Sequence, residues 1–296
     1  MGFNDALGYI RQTREMPSVE WISFSGGEPF LFPDLLLKLI ASASGMGLQT
    51  ECVSNCFWAE TAEGAVKVLE RFKKAGLGVI NISIDDFHQQ HLPFDRVRNG
   101  YHAAKHLGIK IVIMSAVKKS STITAGQLGQ LLGDDGILIL GKGAVQNAST
   151  TALAVQSSFL PIGRGAGIPE KEWIVEDRSL AGTCQIVLRD ISIHPTGKVF
   201  PCCSAAGTAE TAVIGNAKEA GLHKIIREAG RHPFFRVLSK KGPKGLCEYL
   251  HLDNTGKPYV NKCHLCHELF TGQESGDWKT WKVGASEFSS SPIGAL

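Results

Sequence analysis

Cysteines are concentrated in the last part of this 296-residue chain. Two lie early, at Cys52 and Cys56, and the other six are Cys184, Cys202, Cys203, Cys247, Cys263 and Cys266. The first residues, Met-Gly-Phe-Asn-Asp, have neither the basic start nor the apolar stretch of a signal peptide. We therefore expect a cytoplasmic protein, whose thiols stay reduced and serve a purpose other than disulfides. The uneven placement predicts a second domain built around a metal.

The spacing of the late cysteines suggests two pairs. Residues 191–200, between Cys184 and Cys202, are expected to form a β-hairpin that draws these two thiols together. Cys263 and Cys266 provide a Cys-x-x-Cys pair. Four thiolates satisfy either zinc or an iron–sulfur cluster, and the spacing alone leaves both open. The run at 263–267 also spells the Cys-x-x-Cys-His of c-type haem attachment, but that chemistry needs export and no signal is visible.

A different chemistry is indicated near the start of the chain, where Ser25-Gly26-Gly27-Glu28-Pro29 follows a predicted strand. Two glycines allow the backbone to approach a ligand closely, and the carboxylate beyond them can bind an ammonium group. Sites in parallel barrels lie at the carboxyl ends of strands, where this segment falls. A tight turn with no ligand is the alternative.

Strands and helices alternate over the first part of the chain. Strands are predicted at residues 21–25, 48–54, 79–85, 109–117, 137–140 and 152–160, and helices at 4–13, from 33, and at 59–75, 93–107 and 124–132. This alternation indicates a parallel α/β sheet or barrel. Because the chain opens with a helix, the series is one strand short. Beyond about residue 178, helical periodicity remains only at 217–229 and 233–239. We predict domains at 1–177 and 178–271, and a loosely ordered tail at 272–296.

Four segments, in order, resemble motifs of the radical S-adenosylmethionine (SAM) enzymes. They are Gly26-Gly27-Glu28-Pro29; Ser54-Asn55, with Cys56 where relatives often have glycine; Ser83-Ile84-Asp85-Asp86-Phe87-His88; and Pro161-Ile162-Gly163-Arg164-Gly165. The resemblance implies a partial (β/α)6 barrel of the radical SAM type that lacks its first strand, followed by a small Cys-rich α+β auxiliary-cluster domain. It also implies which residues bind SAM: Gly26, Gly27, Glu28 and Pro29 for the methionine, and Asn55, Ser83, Asp85, Gly163 and Arg164 for the rest.

Asp86 and His88 are the candidates for catalytic roles in that setting. The alternative is that Asp85 and Asp86 simply cap the loop. His88 and His91 have no third ligand nearby in the sequence, which argues against a metal at this position.

The cysteine-rich part resembles the SPASM and twitch domains of the same enzymes. Cys184, Gly197 and Cys202 have the spacing that opens these domains, and Gly215-Asn216 follows as in relatives. The resemblance favours iron–sulfur over zinc, with one auxiliary [4Fe–4S] cluster held by Cys184, Cys202, Cys263 and Cys266. A full SPASM domain has seven cysteines, and six are present here. Cys247 is the first substitute ligand, and Cys203 is also open.

One family feature is missing: the Cys-x-x-x-Cys-x-x-Cys loop that holds the SAM-binding [4Fe–4S] cluster occurs nowhere in the sequence. An N-terminal truncation would explain both this absence and the absent strand. The alternative is a degenerate protein that binds SAM or a peptide without cleaving SAM. We expect the SAM-binding cluster only if a missing N-terminal segment is restored.

The resemblance further implies an activity and its partners. We expect hydrogen-atom abstraction from a peptide or protein, such as a ribosomal precursor peptide, with SAM as the radical source and a flavodoxin or ferredoxin as electron donor. A zinc-stapled α/β binding protein is the competing interpretation. The net charge is +3 and the basic residues look spread along the chain, so no nucleic-acid partner is expected. The apolar runs are too short to span a membrane.

Overall fold

A computed structural model describes residues 1–140, 151–175, 180–252, 256–272 and 278–280. These residues form two compact units, which are Val19–Ser158, and Met1–Ser18 together with the described residues from Phe159 onward. The predicted boundary at 177/178 lies outside the described residues, as does most of the predicted tail at 272–296. The domain bounds therefore stay predictions. No helix of the described part is long and apolar enough to cross a membrane.

The described elements follow the predicted alternation. The helices are α1 (Phe3–Gln12), α2 (Pro33–Ser44), α3 (Ala62–Ala75), α4 (Asp86–Gln89), α5 (Phe94–His106), α6 (Leu128–Leu132), α7 (Leu222–Arg231), α8 (Pro233–Tyr249) and α9 (Lys262–Thr271). The strands are β1 (Trp21–Phe24), β2 (Gln49–Ser54), β3 (Val79–Ser83), β4 (Lys110–Val117), β5 (Leu138–Ile139), β6 (Ala152–Ser158), β7 (Ser192–Ile193), β8 (Lys198–Phe200) and β9 (Gly215–Asn216).

The first unit is a parallel sheet in the order β1-β2-β3-β4-β6-β5. Its core lies between one face of the sheet, which carries Ile82 and Ile113, and the helices that bring Leu69, Phe72 and Tyr101. The same alternation of side chains puts polar groups on the other face. There Glu51 accepts hydrogen bonds from the Ser23 hydroxyl, at 2.8 Å, and from the Asn81 amide. This parallel α/β architecture is the predicted fold class.

Helix ends in this unit follow sequence signals. Thr61 caps α3 by accepting from the Gly64 amide at 3.1 Å, and Gly76 ends it with φ of +109°. Gly76 is the C-cap, since a left-handed residue at this position is strained for any side chain but easy for glycine.

The second unit contains the antiparallel sheet β7-β8-β9. The β7–β8 pair is the predicted hairpin, and Gly197 supplies its turn with φ of +92°. Helix α1 belongs to this unit: the Gln12 side chain accepts from the Leu222 amide at 2.7 Å. Two predicted helices differ from the structure. The one expected at 217–229 begins at Leu222, and the one expected at 233–239 continues through a non-helical Gly242 to Tyr249.

Candidate functional site

The Gly-Gly-Glu-Pro segment forms the turn that follows β1. Gly26 has φ of +145°, a conformation that side chains rarely adopt. A Cβ atom built on Gly26 or Gly27 would meet no atom within 4 Å. The backbone of these two residues therefore borders open space, as the close approach of a ligand requires.

Glu28 ties this turn to the end of the neighbouring strand β2. Its Oε2 accepts from the Asn55 amide at 2.8 Å, and its Oε1 accepts from the Ser54 hydroxyl at 3.1 Å and the Phe30 amide at 3.2 Å. Burial raises the pKa of Glu28, whereas these hydrogen bonds and the nearby His88 act in the opposite direction. Among the described residues Oε2 has a single donor, which leaves it able to accept another.

Cys56 occupies the position where the resembled family often has glycine. Its φ is +61°, in the left-handed region that favours glycine, and its side chain is fully buried. A Cβ on Gly100 of α5 would lie 2.6 Å from the Cys56 sulfur. Burial also raises the pKa values of Cys52 and Cys56 above the ordinary thiol range. Both are thiols of the hydrophobic core.

Asp85 and His88 form a pair after β3, beyond Ser83, the last residue of that strand. The Asp85 side chain is 3% exposed and its Oδ1 lies 2.8 Å from His88 Nδ1, while the His88 side chain is 40% exposed. Asp85 also accepts from the amides of His88, at 3.0 Å, and Ala116, at 3.2 Å. The carboxylate thus caps α4, contacts β4 and orients the imidazole at the same time.

Asp86 makes a separate set of contacts with the loop at 122–123. It accepts from the amides of Thr122, at 2.8 Å, and Ile123, at 3.2 Å, and from the Thr122 hydroxyl. Burial disfavours the carboxylate, but the hydrogen bonds outweigh it and lower the pKa of Asp86. These are the contacts of a loop cap, the alternative raised for this residue.

The structure brings the residues after β1, β2 and β3 to one edge of the parallel sheet. Glu28, Asn55, Asp85 and His88 share this edge, through the contacts given above. Gly163 and Arg164 belong to the second unit, where Gly163 begins a short turn of helix with φ of +55°.

The four cysteines predicted as metal ligands line one pocket of the second unit. Its empty volume is about 290 Å³, part of it open to solvent. The lining residues are Cys184, Ile186, Cys202, Ser204, Pro243, Lys262, Cys263 and Cys266. We call this the thiol pocket. Cys203 is exposed and Cys247 is buried, and neither is among its lining residues.

Two local structures position the thiols. Gly197 forms the turn of the β7–β8 hairpin, and a Cβ atom at this position would collide with the side chain of Asn216. This contact explains why glycine at 197 occurs together with Gly215-Asn216 in the sequence. Cys263 and Cys266 lie one turn apart at the start of α9. The side chain of Asn261 caps that helix by accepting from the amides of Cys263 and His264, at 3.0 and 3.1 Å. A helix N-terminus stabilises negative charge, so it favours thiolates over thiols.

Burial of the sulfurs dominates the electrostatics of the pocket. It raises the pKa of Cys202 to about 11; a hydrogen bond from the Ser204 amide opposes this, and Cys203, Cys184 and Cys263 each add a smaller increase. Burial and the surrounding thiols also raise the pKa of Cys266 well above its usual range. Four thiolates could share this pocket only with a cationic centre to balance them.

Four thiolates are a suitable donor set for a zinc ion or for an iron–sulfur cluster. Among the described residues no group of three or more His, Cys, Asp or Glu could hold one metal ion. Zinc needs four sulfurs at about 2.3 Å from one point. A [4Fe–4S] cluster binds each thiolate through a different iron, so its ligands surround a larger volume.

Sequence reasoning missed three residues of this site. Lys262 and Pro243 line the pocket, and Asn261 caps the helix that presents two of the thiols. Asn261 directly precedes Lys262 and the Cys-x-x-Cys pair, and an asparagine at such a position is a typical N-cap. This signal could have predicted the start of the helix. Pro243 lies beyond the kink at Gly242, in a stretch that has no helical pattern of apolar residues.

Comparison with known proteins agrees with both parts of the chain. Residues 184–267 match the SPASM family, an iron–sulfur cluster-binding domain. The chain is 24% identical over 264 residues to the "Putative peptide biosynthesis protein YydG" of Bacillus subtilis (strain 168), covering 87% of this chain and 79% of that protein. These matches confirm the resemblance to radical SAM enzymes that carry a SPASM-type domain.

Two solved structures give weaker likenesses. BtrN in complex with AdoMet and 2-DOIA is 15% identical with a TM-score of 0.47, covering 88% of this chain and 85% of that one. A domain of pyruvate-formate lyase-activating enzyme from Bacteroides vulgatus is 13% identical with a TM-score of 0.34, covering 46% of this chain and 98% of that one. Likenesses at this level assign neither a ligand nor a reaction.

Proposed function

We propose that this protein is a radical SAM enzyme that modifies a peptide or protein by hydrogen-atom abstraction, with one auxiliary [4Fe–4S] cluster in its second unit. The observation that carries the proposal is the thiol pocket, which four cysteines line within the residues that match an iron–sulfur cluster-binding domain. The relative named for peptide biosynthesis supports a peptide substrate. When bound, SAM supplies the radical chemistry, and the auxiliary cluster supplies one-electron chemistry or a ligand site for substrate.

Each set of residues has a role in this proposal. Cys184, Cys202, Cys263 and Cys266 hold the cluster, and Asn261 orients two of them by capping α9. Gly26 and Gly27 leave room for the methionine of SAM, and the spare acceptor capacity of Glu28 takes its ammonium group. Asn55, Ser83 and Asp85 border the rest of SAM. Pro29 keeps the turn rigid.

His88 is the better of the two candidates for proton transfer. Its imidazole is partly exposed, and a buried carboxylate fixes its orientation through Nδ1. Asp86 has a lowered pKa and accepts from donors of one loop, so its carboxylate is poorly suited to take up a proton. A reduced flavodoxin or ferredoxin is the expected electron donor.

A second function is favoured by one observation, the missing Cys-x-x-x-Cys-x-x-Cys triplet. Residues 1–296 supply no such ligand set for the SAM-binding cluster. A protein without it would bind SAM or a peptide and not cleave SAM. We expect residues 1–296 alone not to cleave SAM. The two functions are separated with a chain to which the Cys-x-x-x-Cys-x-x-Cys segment has been restored, because only the enzyme then releases 5′-deoxyadenosine from SAM and dithionite.

Anaerobic reconstitution tests the auxiliary cluster. We expect about four irons and four sulfides per chain, and loss of most of this iron in Cys266→Ala. Cys203→Ala is the matched control, because this exposed thiol does not line the pocket, and it should keep its iron. Zinc without iron and sulfide would refute the cluster assignment, and equal iron loss in both variants would refute the ligand set.

A further inference from the structure

Helix α8 of the second unit carries an excess of positive charge. Helix α8 carries Arg236, Lys240, Lys241 and Lys244 against a single carboxylate, Glu248, which gives it a net charge of +3. The entire chain also has a net charge of +3. Helices α3, α5 and α7 each have a net charge of +2, so basic residues are spread over several helices and α8 has the largest excess of these four.

A kink holds these lysines beside the thiol pocket. Gly242 has φ of +69°, and a Cβ there would collide with the carbonyl oxygen of Gly182. Just before the kink, Ser239 accepts a hydrogen bond from the amide of Cys184 at 3.2 Å. Just after it, Pro243 lines the pocket. Lys240 and Lys241 lie three and two residues before Pro243 in the chain, and Lys244 directly follows it. The three lysines therefore flank the part of the pocket wall that Pro243 forms.

A fourth cation lies at the pocket itself. Lys262 is a lining residue, and its ammonium group donates to the carbonyl of Thr183 at 2.9 Å. We call Lys240, Lys241, Lys244 and Lys262 the lysine rim.

The charges of the rim are not neutralised within the described part of the chain. Lys240, Lys241 and Lys244 are exposed, and among described residues none of the four rim lysines makes an ion pair. Some lysines elsewhere are paired, for example Lys105 with Asp134 and Lys218 with Asp5. Exposed, unpaired charge of one sign steers an oppositely charged partner and sets its orientation.

We propose that the lysine rim is the docking site of a small acidic one-electron carrier protein of the flavodoxin or ferredoxin class. This inference rests on the proposed auxiliary cluster, since docking there would bring the carrier next to the redox group. A nucleic acid is the other polyanion to consider. Stacking of bases needs exposed aromatic or Arg side chains. On α8, Phe234 and Phe235 are buried, and Arg236 and Tyr249 are only partly exposed.

Titration with an acidic flavodoxin tests the site by a measurement independent of activity. The reconstituted full chain and its Lys240→Glu/Lys241→Glu/Lys244→Glu variant are compared by calorimetry at low and moderate salt. We expect the Kd to rise at least about tenfold in the variant, and wild-type binding to weaken with salt. The substituted side chains are exposed, so the fold should persist, as circular dichroism will show.

The matched control places the same charge change on the other unit. Lys38, Lys67 and Lys74 are exposed on α2 and α3, and their replacement by Glu should leave the Kd within about twofold. The triple Lys→Arg variant of α8 should also bind normally, because it keeps the charge. Equal weakening in both Glu variants, or none in the α8 variant, would overturn the proposal.

Two further measurements separate the possible failures. Binding of a single-stranded DNA 20-mer is measured in the same way. If the DNA binds more tightly than flavodoxin and the α8 variant loses this binding, the lysine rim is a nucleic-acid site and not a docking site for a carrier protein. Iron and sulfide analysis of each sample reports on the cluster itself. A sample with zinc in place of iron contradicts the proposed function, whereas loss of binding at full iron content concerns the docking site alone.

Discussion

At the scale of single residues, Cys56 shows how an unusual backbone position is accommodated. The left-handed conformation is costly for a side chain by about 1–2 kcal/mol, and yet the residue is not glycine. Its sulfur fills the space beside Gly100, where a Cβ would lie 2.6 Å away. The two positions are coupled, because the Cys56 side chain occupies the space that a side chain at position 100 would need.

This coupling predicts a non-additive pair of substitutions. Gly100→Ala should destabilise the chain by about 1–3 kcal/mol, because the added methyl group overlaps the Cys56 sulfur. In a Cys56→Gly background the same change should cost almost nothing or stabilise, since alanine is about 1 kcal/mol better than glycine in a helix. Urea unfolding of the four proteins gives the coupling free energy. Equal effects in both backgrounds would contradict the contact.

At the scale of elements, Asp134 joins α5 to the loop that follows α6. It accepts hydrogen bonds from the Tyr101 hydroxyl, the Lys105 ammonium group and the Gly136 amide. Burial acts against the carboxylate, but these donors outweigh it and lower the pKa of Asp134 to about 2. Because the pKa is lower in the folded state, the stabilisation is complete above the ordinary pKa near 4 and is lost as the pH falls towards 2.

Asp134→Asn should therefore destabilise the protein at pH 7 by about 2 kcal/mol, and the difference from wild type should shrink as the pH falls from about 4 to 2. Unfolding curves at several pH values measure this dependence. Asp95→Asn is the control: its ion pair with Arg98 is exposed, and such pairs contribute less than about 1 kcal/mol. A difference that stays constant with pH would show that Asp134 acts through packing alone.

Sequence patterns were sufficient for elements whose signals are local. The α3 helix, with its polar cap and terminal glycine, and the β7–β8 hairpin agree with prediction because each is determined by neighbouring residues. The second half of α8 was missed because the Lys-Lys-Gly-Pro-Lys-Gly run normally breaks a helix. Its position depends on the contact between Gly242 and Gly182, which are distant in the sequence.

The candidate sites follow the same division. Cys184, Cys202, Cys263 and Cys266 could be grouped from spacing, and the structure lines one pocket with them. The pairing of Asp85 with His88 could not be predicted, because α4 is a single turn whose side-chain directions depend on β4. The positions of Lys262 and Pro243 in the pocket lining could not be predicted from the sequence, because they depend on the fold of the second unit.

At the scale of the whole molecule, the two compact units predict separate responses to metal removal. A cluster bound only by the folded chain stabilises the unit that holds it. Iron removal, or Cys266→Ala, should lower the unfolding temperature of the second unit and leave that of the parallel sheet almost unchanged. Calorimetry on reconstituted and iron-free protein measures both transitions.

The Gly100→Ala variant provides the complementary control, because its substitution lies in the parallel sheet unit. It should lower the unfolding temperature of the parallel sheet unit, which iron removal leaves almost unchanged. If iron removal and Gly100→Ala both move a single common transition, the two units do not unfold independently.

The membership of α1 has a consequence for dissecting the gene. Because Gln12 accepts from Leu222, and Met1–Ser18 cluster with the residues after Phe159, the metal-binding half is encoded by two separated stretches. Expression from codon 159 onward would omit a helix that this half packs against. A soluble fragment would instead join residues 1–18 to 159–296 through a short linker, with the parallel sheet treated as an excisable insertion.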